Sequence, residues 1–144
     1  VAQEVTASLE HFADEKNVTL RTEGEHVRLP GVPELLRGIV YNLTDNAIKY
    51  NRPGGTVTVS VTRQGAQAIL TVRDTGIGIP AEDKDRIFER FYRVDKSRSK
   101  EVGGTGLGLS IVKHAALLHK AAISLTSQPG AGTCIQVAFP MENQ

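Results

Sequence analysis

The chain has a single cysteine, Cys134, which excludes an internal disulfide and any cysteine-based metal site. That fits a reducing compartment, and Cys134 reads as a core residue on a late strand. No apolar run approaches the ~20 residues that span a bilayer, and no signal peptide opens the sequence. Net charge is only +1, so neither nucleic acid nor an anionic membrane is indicated as the main partner. Repeats and low-complexity segments are absent too. What is present is an ordinary globular composition, 40% hydrophobic and 23% charged, in 144 residues. That is enough for one domain with a real core. The sequence opens at Val1 inside a helical pattern, so it looks like a piece cut from something longer, and as a fragment it is expected to be monomeric.

Apolar spacing gives the elements. Val5, Leu9 and Phe12 predict a helix over 1–15, stopped at Asn17. Val18 and Leu20, then Val27 and Leu29, predict two short strands around a turn at Glu23-Gly24-Glu25. Pro33 starts a long helix that runs to Tyr50 and is ended by Asn51-Arg-Pro-Gly-Gly55. Val57, Val59 and Val61 alternate with Thr and Ser, and Gln64-Gly65 turns that strand into a second one, Ala68–Arg73. A short helix carrying Ile87, Phe88 and Phe91 follows a Gly-rich stretch, then a polar run at Lys96–Glu101 taken as loop. A helix after Gly108 and strands near Ile123–Thr126 and Ile135–Phe139 close the chain. The fold class expected is α/β, a two-layer sandwich with helices on one face of a mixed, mostly antiparallel sheet and a more polar opposite face.

Two features call for more than a fold. The helix at 33–50 carries Asn42, Asn46 and Lys49 at i, i+4 and i+7, one polar stripe beside the apolar one. Asn is a poor interior helix residue, so the pair implies either hydrogen bonds to nearby backbone or a metal contact. The second feature is a pair of glycine clusters. Asp74, Gly76 and Gly78 leave a strand, where backbone can approach a ligand closely. Gly104, Gly106 and Gly108 stand just before a helix, where free N–H groups favour phosphate. The Rossmann spacing fails, and a P-loop would need lysine where Leu109 stands.

In chain order these segments resemble the four boxes of the catalytic ATP-binding domain of sensor histidine kinases, in the Bergerat-fold ATPase superfamily. The N box is Asn42-Leu-Thr-Asp-Asn46-Ala-Ile-Lys49-Tyr50 and the first glycine box Asp74-Thr-Gly-Ile-Gly-Ile-Pro80. The phenylalanine box is Ile87-Phe-Glu-Arg-Phe-Tyr-Arg-Val-Asp95 and the second glycine box Gly104-Thr-Gly-Leu-Gly-Leu109. The subgroup most resembled is that of membrane-bound sensors of the phosphate-regulon and cell-wall type.

The resemblance implies ATP and Mg2+ as cofactors. Asp74 would accept a hydrogen bond from the adenine amino group, while Gly76, Gly78 and Ile79 lie against the nucleotide. Asn46 matches the magnesium ligand, Lys49 a phosphate contact, and Tyr50 a packing residue near the nucleotide. Arg93 would reach the terminal phosphate, and Gly103, Gly104, Thr105, Gly106, Leu107 and Gly108 would form the hinge and phosphate cradle. Residues 81–105 would be a movable lid, with Phe88 and Phe91 as its anchors to the core and Lys96–Lys100 as a solvated face.

Asn42 is the informative position. Gyrase-type, mismatch-repair and heat-shock chaperone ATPases place a water-activating glutamate there, and an amide cannot act as a general base. The implied activity is therefore transfer of the γ-phosphoryl group to a protein histidine, with Asn42, Lys49 and Arg93 nearest the chemistry. The acceptor would lie on the kinase's own dimerisation domain, and a response regulator would collect the group on an aspartate. None of His11, His26, His114 and His119 has the acceptor's sequence context, so they read as surface or cap residues. The expected setting is a cytoplasmic domain of a membrane-bound sensor. Two other functions are weighed: a degenerate nucleotide-binding regulatory module, and an autonomous Bergerat-fold ATPase, which Asn42 argues against. Lys120-Ala121 departs from the glycine turn usual after His119 in such kinases, which questions the turn and no ligand residue.

Overall fold

A computed structural model of the chain describes residues 2–24, 31–76, 108–128 and 132–140. Helix α1 (Ala2–Glu15) leads into strand β1 (Thr19–Gly24), then helix α2 (Pro33–Lys49) and the hairpin β2 (Thr56–Gln64) and β3 (Gln67–Asp74). Helix α3 (Gly108–Leu118) and strands β4 (Ala122–Gln128) and β5 (Gly132–Pro140) complete the described elements. The five strands form one sheet in the order β1-β2-β3-β5-β4. Only β1 and β2 run parallel; the other neighbours are antiparallel.

All three helices bury into one face of this sheet. Val5, Leu9 and Ala13 of α1, Ile39, Val40, Leu43, Ala47 and Ile48 of α2, and Val112, Ala115 and Ala116 of α3 share a single cluster with Val57, Val59, Leu70, Val72, Ile135, Val137 and Phe139. Burying one such aliphatic side chain is worth about 1.5–3 kcal/mol, so this layer dominates stability. The strand residues in between, Thr58, Ser60, Thr71, Arg73 and Gln136, pair across the opposite face and give it its polar character. The two-layer sandwich expected from the sequence is the one observed.

Two helices end on the same device. Val18 N–H bonds Ala13 O at 2.9 Å and Asn17 N–H bonds Asp14 O at 3.1 Å, with Asn17 at φ 59. Ala121 N–H bonds Ala116 O at 2.9 Å and Lys120 N–H bonds Leu117 O at 3.1 Å, with Lys120 at φ 56. Both are Schellman motifs, which need a left-handed residue just past the helix. Asparagine tolerates that conformation; lysine adopts it against a steric penalty. The turn whose geometry the missing glycine put in question is thus the usual one, built at a cost.

Helix α2 begins differently. Its N-cap is Val32, which offers no side-chain acceptor, and Pro33 follows at the first helical position. The Val32 N–H instead donates to His119 Nε2 at 3.0 Å, from the end of α3. His119 Nδ1 stands 2.9 Å from Ala115 O, and with Nε2 accepting from Val32 the tautomer that fits both contacts carries its proton on Nδ1. Its edge also meets Phe139, with ring centroids 6.2 Å apart. His119 is a cap residue, as expected, but for a helix distant in sequence.

One boundary needs correction. Glu23 and Gly24, placed in a turn by the spacing of apolar residues, are the last residues of β1 and pair with Ser60 and Val61. Parallel pairing with β2 carries the strand past its apolar positions. The second strand expected at 27–29, the helix at 87–91, the loop at 96–101 and the lid at 81–105 lie outside the described residues.

Candidate functional site

The last turns of α2 and the exit of β3 meet at one end of the sheet, and three side chains hold them together. Asn51, just past α2 and 7% exposed, donates from Nδ2 to Thr56 O at 3.1 Å. Its Oδ1 accepts from Arg52 N–H at 2.8 Å and from the Thr75 hydroxyl at 3.5 Å. Thr75 Oγ1 in turn accepts from Thr56 N–H at 3.0 Å, and Arg52 Nη2 donates to Gly76 O at 2.9 Å. The segment after β3 is therefore stitched to the segment after α2 by hydrogen bonds, all but the Thr56–Thr75 one partly shielded from water.

That junction positions Asp74 and Gly76. Asp74 is the final residue of β3, and its Oδ1 accepts from Gly76 N–H at 2.8 Å. Burial pushes the Asp74 carboxyl up from 3.8 to about 6, against the pull of the Gly76 and Thr133 backbone N–H groups. At neutral pH it is ionised but incompletely solvated, an acceptor held ready for a donor. Gly76 has no room for a side chain, since a Cβ would come 2.6 Å from Tyr50 O and 3.1 Å from Asn51 Cα. Across the sheet, Gly132 at φ +101 lies so close that a Cβ would collide with the Asp74 carbonyl. Glycine here is what lets β5 bring the Thr133 N–H to the carboxylate.

The polar stripe of α2 divides. Asn42 Nδ2 donates to Gly38 O at 2.7 Å, one turn back along its own helix. Asn46 is half-buried, and among the described residues its side chain has no hydrogen-bond partner. Lys49 Nζ is 3.0 Å from Asp45 Oδ2, with the two side chains 23% and 15% exposed. Tyr50 caps the helix, its N–H bonding Asn46 O at 3.1 Å. Of the two explanations open for the asparagines, backbone satisfaction holds for Asn42, and Asn46 makes no such bond among the described residues.

The structure thus brings Tyr50, Asp74 and Gly76 together at one junction, with Asn46 and Lys49 on the turn of α2 that leads into it and Asn42 a turn earlier. Gly108 opens α3, which packs on α2. Gly78, Ile79, Arg93, Gly104, Thr105, Gly106 and Leu107 lie outside the described residues. Sequence reasoning passed over Asp45, Asn51, Arg52 and Thr75. The i,i+4 spacing of Asp45 and Lys49 was a usable signal. The others become visible only when two distant segments meet. Among the described residues no three His, Cys, Asp or Glu side chains gather to hold a metal, and no helix is long and apolar enough to cross a membrane.

An acceptor at a strand exit, a glycine seam and a helix amide without a side-chain partner among the described residues thus lie at the end of the sheet where α2 and β3 meet. Residues 31–143 match the family described as histidine kinase-, DNA gyrase B-, and HSP90-like ATPase. The chain belongs to that family. It is an ATP-binding domain, and its relatives place it with the catalytic domains of sensor histidine kinases. It is 44% identical over 129 residues to the sensor-like histidine kinase SenX3 of Mycobacterium tuberculosis, covering 89% of this chain and 32% of that protein. It is 42% identical over 113 residues to the phosphate regulon sensor protein PhoR of Pseudomonas aeruginosa, covering 78% of this chain and 26% of that protein. The chain thus spans about a third or less of the length of these curated relatives. The solved structure of the mycobacterial sensor histidine kinase MprB superposes with a TM-score of 0.83 at 33% identity, covering 99% of this chain and 97% of that one.

Proposed function

We propose that this kinase-family domain binds Mg-ATP and hands its γ-phosphoryl group to a histidine on the dimerisation domain of its own full-length chain. A response regulator would then take the group onto an aspartate. The observation that carries this proposal is the state of position 42. A water-activating residue there would need a basic oxygen facing the nucleotide. Asn42 is an amide, and its nitrogen is already committed to the Gly38 carbonyl at 2.7 Å. A domain that binds ATP without activating water keeps the phosphoryl group for a better-placed acceptor.

The residues divide the work. Asp74, ionised at neutral pH, accepts the adenine amino group, which guanine does not offer at that place. Gly76, together with Gly78 and Ile79, lets backbone lie flat against the base. Asn46 supplies one neutral oxygen to the metal, which suits an ion that takes its other ligands from phosphate and water. When bound, Mg2+ would neutralise charge on the β- and γ-phosphates. Lys49 and Arg93 are assigned to the phosphates, Tyr50 to packing near the nucleotide, and Gly104–Gly108 to the cradle under a lid formed by 81–105. The domain is placed on the cytoplasmic side of a membrane-bound sensor.

The test uses an added dimerisation domain and γ-labelled ATP. Wild-type protein is expected to label the acceptor histidine. Asn46→Asp should fold normally by circular dichroism and give no label. Undiminished labelling by Asn46→Asp would remove Asn46 from the metal site.

A further inference from the structure

The Asp45–Lys49 pair lies inside the same polar stripe, and nothing in the proposed mechanism uses Asp45. On a helical wheel Asp45, Lys49, Asn42 and Asn46 occupy one contiguous arc of α2. The pair is close, 3.0 Å between Nζ and Oδ2, and both side chains are largely shielded from water at 23% and 15% exposed. The orientation, acid four residues before base, is the favourable one on a helix. A pair this shielded is screened less than a surface pair and holds its geometry more firmly. It also has an electrostatic consequence. Lys49 is the described cation assigned to the phosphates, and its charge is opposed by a carboxylate at contact distance.

We infer that Asp45 is a specificity-determining residue that makes the site select the metal complex of the nucleotide over the metal-free form. This rests on the reading that the site takes Mg-ATP. With Asp45 and Lys49 summing to no net charge, a bare triphosphate approaching this part of α2 meets a carboxylate as well as an ammonium group. The metal-bound nucleotide carries two fewer net negative charges, so the carboxylate opposes it less and gains a favourable long-range interaction with the cation. Asp45 also keeps Lys49 extended along the helix before nucleotide arrives, which makes it a positioning residue for Lys49. Removing the carboxylate charge frees Lys49 and leaves the phosphate end of the site positive.

Isothermal titration of ATP into the protein, once with excess Mg2+ and once with EDTA, reads this directly. Wild-type protein is expected to bind the magnesium complex far more tightly. In Asp45→Asn, affinity for metal-free ATP should rise roughly tenfold, the size of one partly screened charge interaction, while affinity for Mg-ATP should rise less or fall. The ratio of the two affinities should therefore drop about tenfold by the same interaction. Asp45→Ser should behave as Asp45→Asn does, and Asp45→Glu should restore the wild-type ratio. An unchanged ratio in Asp45→Asn and Asp45→Ser overturns the inference. Equal weakening of both forms also overturns it, because it marks a structural role. Absence of binding by the wild-type protein with excess Mg2+ refutes the Mg-ATP site itself, a failure distinct from an unchanged ratio.

Discussion

Asp74→Asn isolates the cost of the carboxylate that the site needs. Burial raises the Asp74 carboxyl from 3.8 to about 6, so between those values the folded protein holds a proton that the unfolded chain has released. Stability therefore falls as pH rises through that window, since the native state binds more protons than the unfolded one. Below 3.8 the carboxyl is neutral in both states and the penalty vanishes; above 6 it is fully present. At about 1.4 kcal/mol per pKa unit the whole swing is about 3 kcal/mol. Asparagine carries no such penalty and can still accept from Gly76 N–H. Any constant offset from losing the Thr133 contact is independent of pH and cancels when differences are compared. Urea denaturation of both proteins at several pH values between 3.5 and 7.5 measures the effect. The stability of Asp74→Asn relative to wild type should climb by about 3 kcal/mol across the range, equivalent to a shift on the order of 10 °C in Tm. A flat difference, or one that falls with rising pH, would refute the argument. The same variant should lose nucleotide binding, a trade of function for stability at a strained site.

Further expectations concern the frame around the site. Thr44 is fully buried and its hydroxyl is, among the described residues, the buried side-chain oxygen without a partner, so Thr44→Val should raise stability by about 1 kcal/mol in urea denaturation. Loss of stability would mean the hydroxyl has a role. Lys120→Gly should relieve the left-handed conformation at φ 56 and gain about 0.5–1 kcal/mol, seen as a higher midpoint at unchanged slope. His119→Ala removes the cap of α2, the bond to Ala115 O and the Phe139 contact together, and should cost about 2–3 kcal/mol. Nitrogen NMR of wild-type His119 should report the proton on Nδ1; a proton on Nε2 would contradict the capping geometry.

Much of this molecule is legible in the sequence because its signals are local. Pro33 and the Asn51-to-Gly55 run bound α2, and Val57, Val59 and Val61 mark the buried face of β2. The order and spacing of the four boxes mark the family. What the sequence hides is non-local. The continuation of β1 through Gly24 depends on parallel pairing with β2, which apolar spacing in residues 18–29 does not encode. Asn42 and Asn46 look alike on a helical wheel, yet one turns back to its own helix and the other does not. The surroundings of the Asp74 carboxyl include β5, whose Gly132 packs against its backbone and whose Thr133 N–H opposes the effect of burial, both far along the chain. Asn51, Arg52 and Thr75 look like a helix stop and a turn until their side chains are seen to join the two halves of the site.

On the proposed function, this domain keeps the γ-phosphoryl group until a protein histidine receives it. The most direct measurement follows phosphate from γ-labelled Mg-ATP with the domain alone and then with the dimerisation domain added. The expected result is saturable binding with negligible release of inorganic phosphate alone, and label on histidine once the acceptor is present. Steady phosphate release by the domain alone, with no label on the acceptor, would contradict the account and make this an autonomous ATPase.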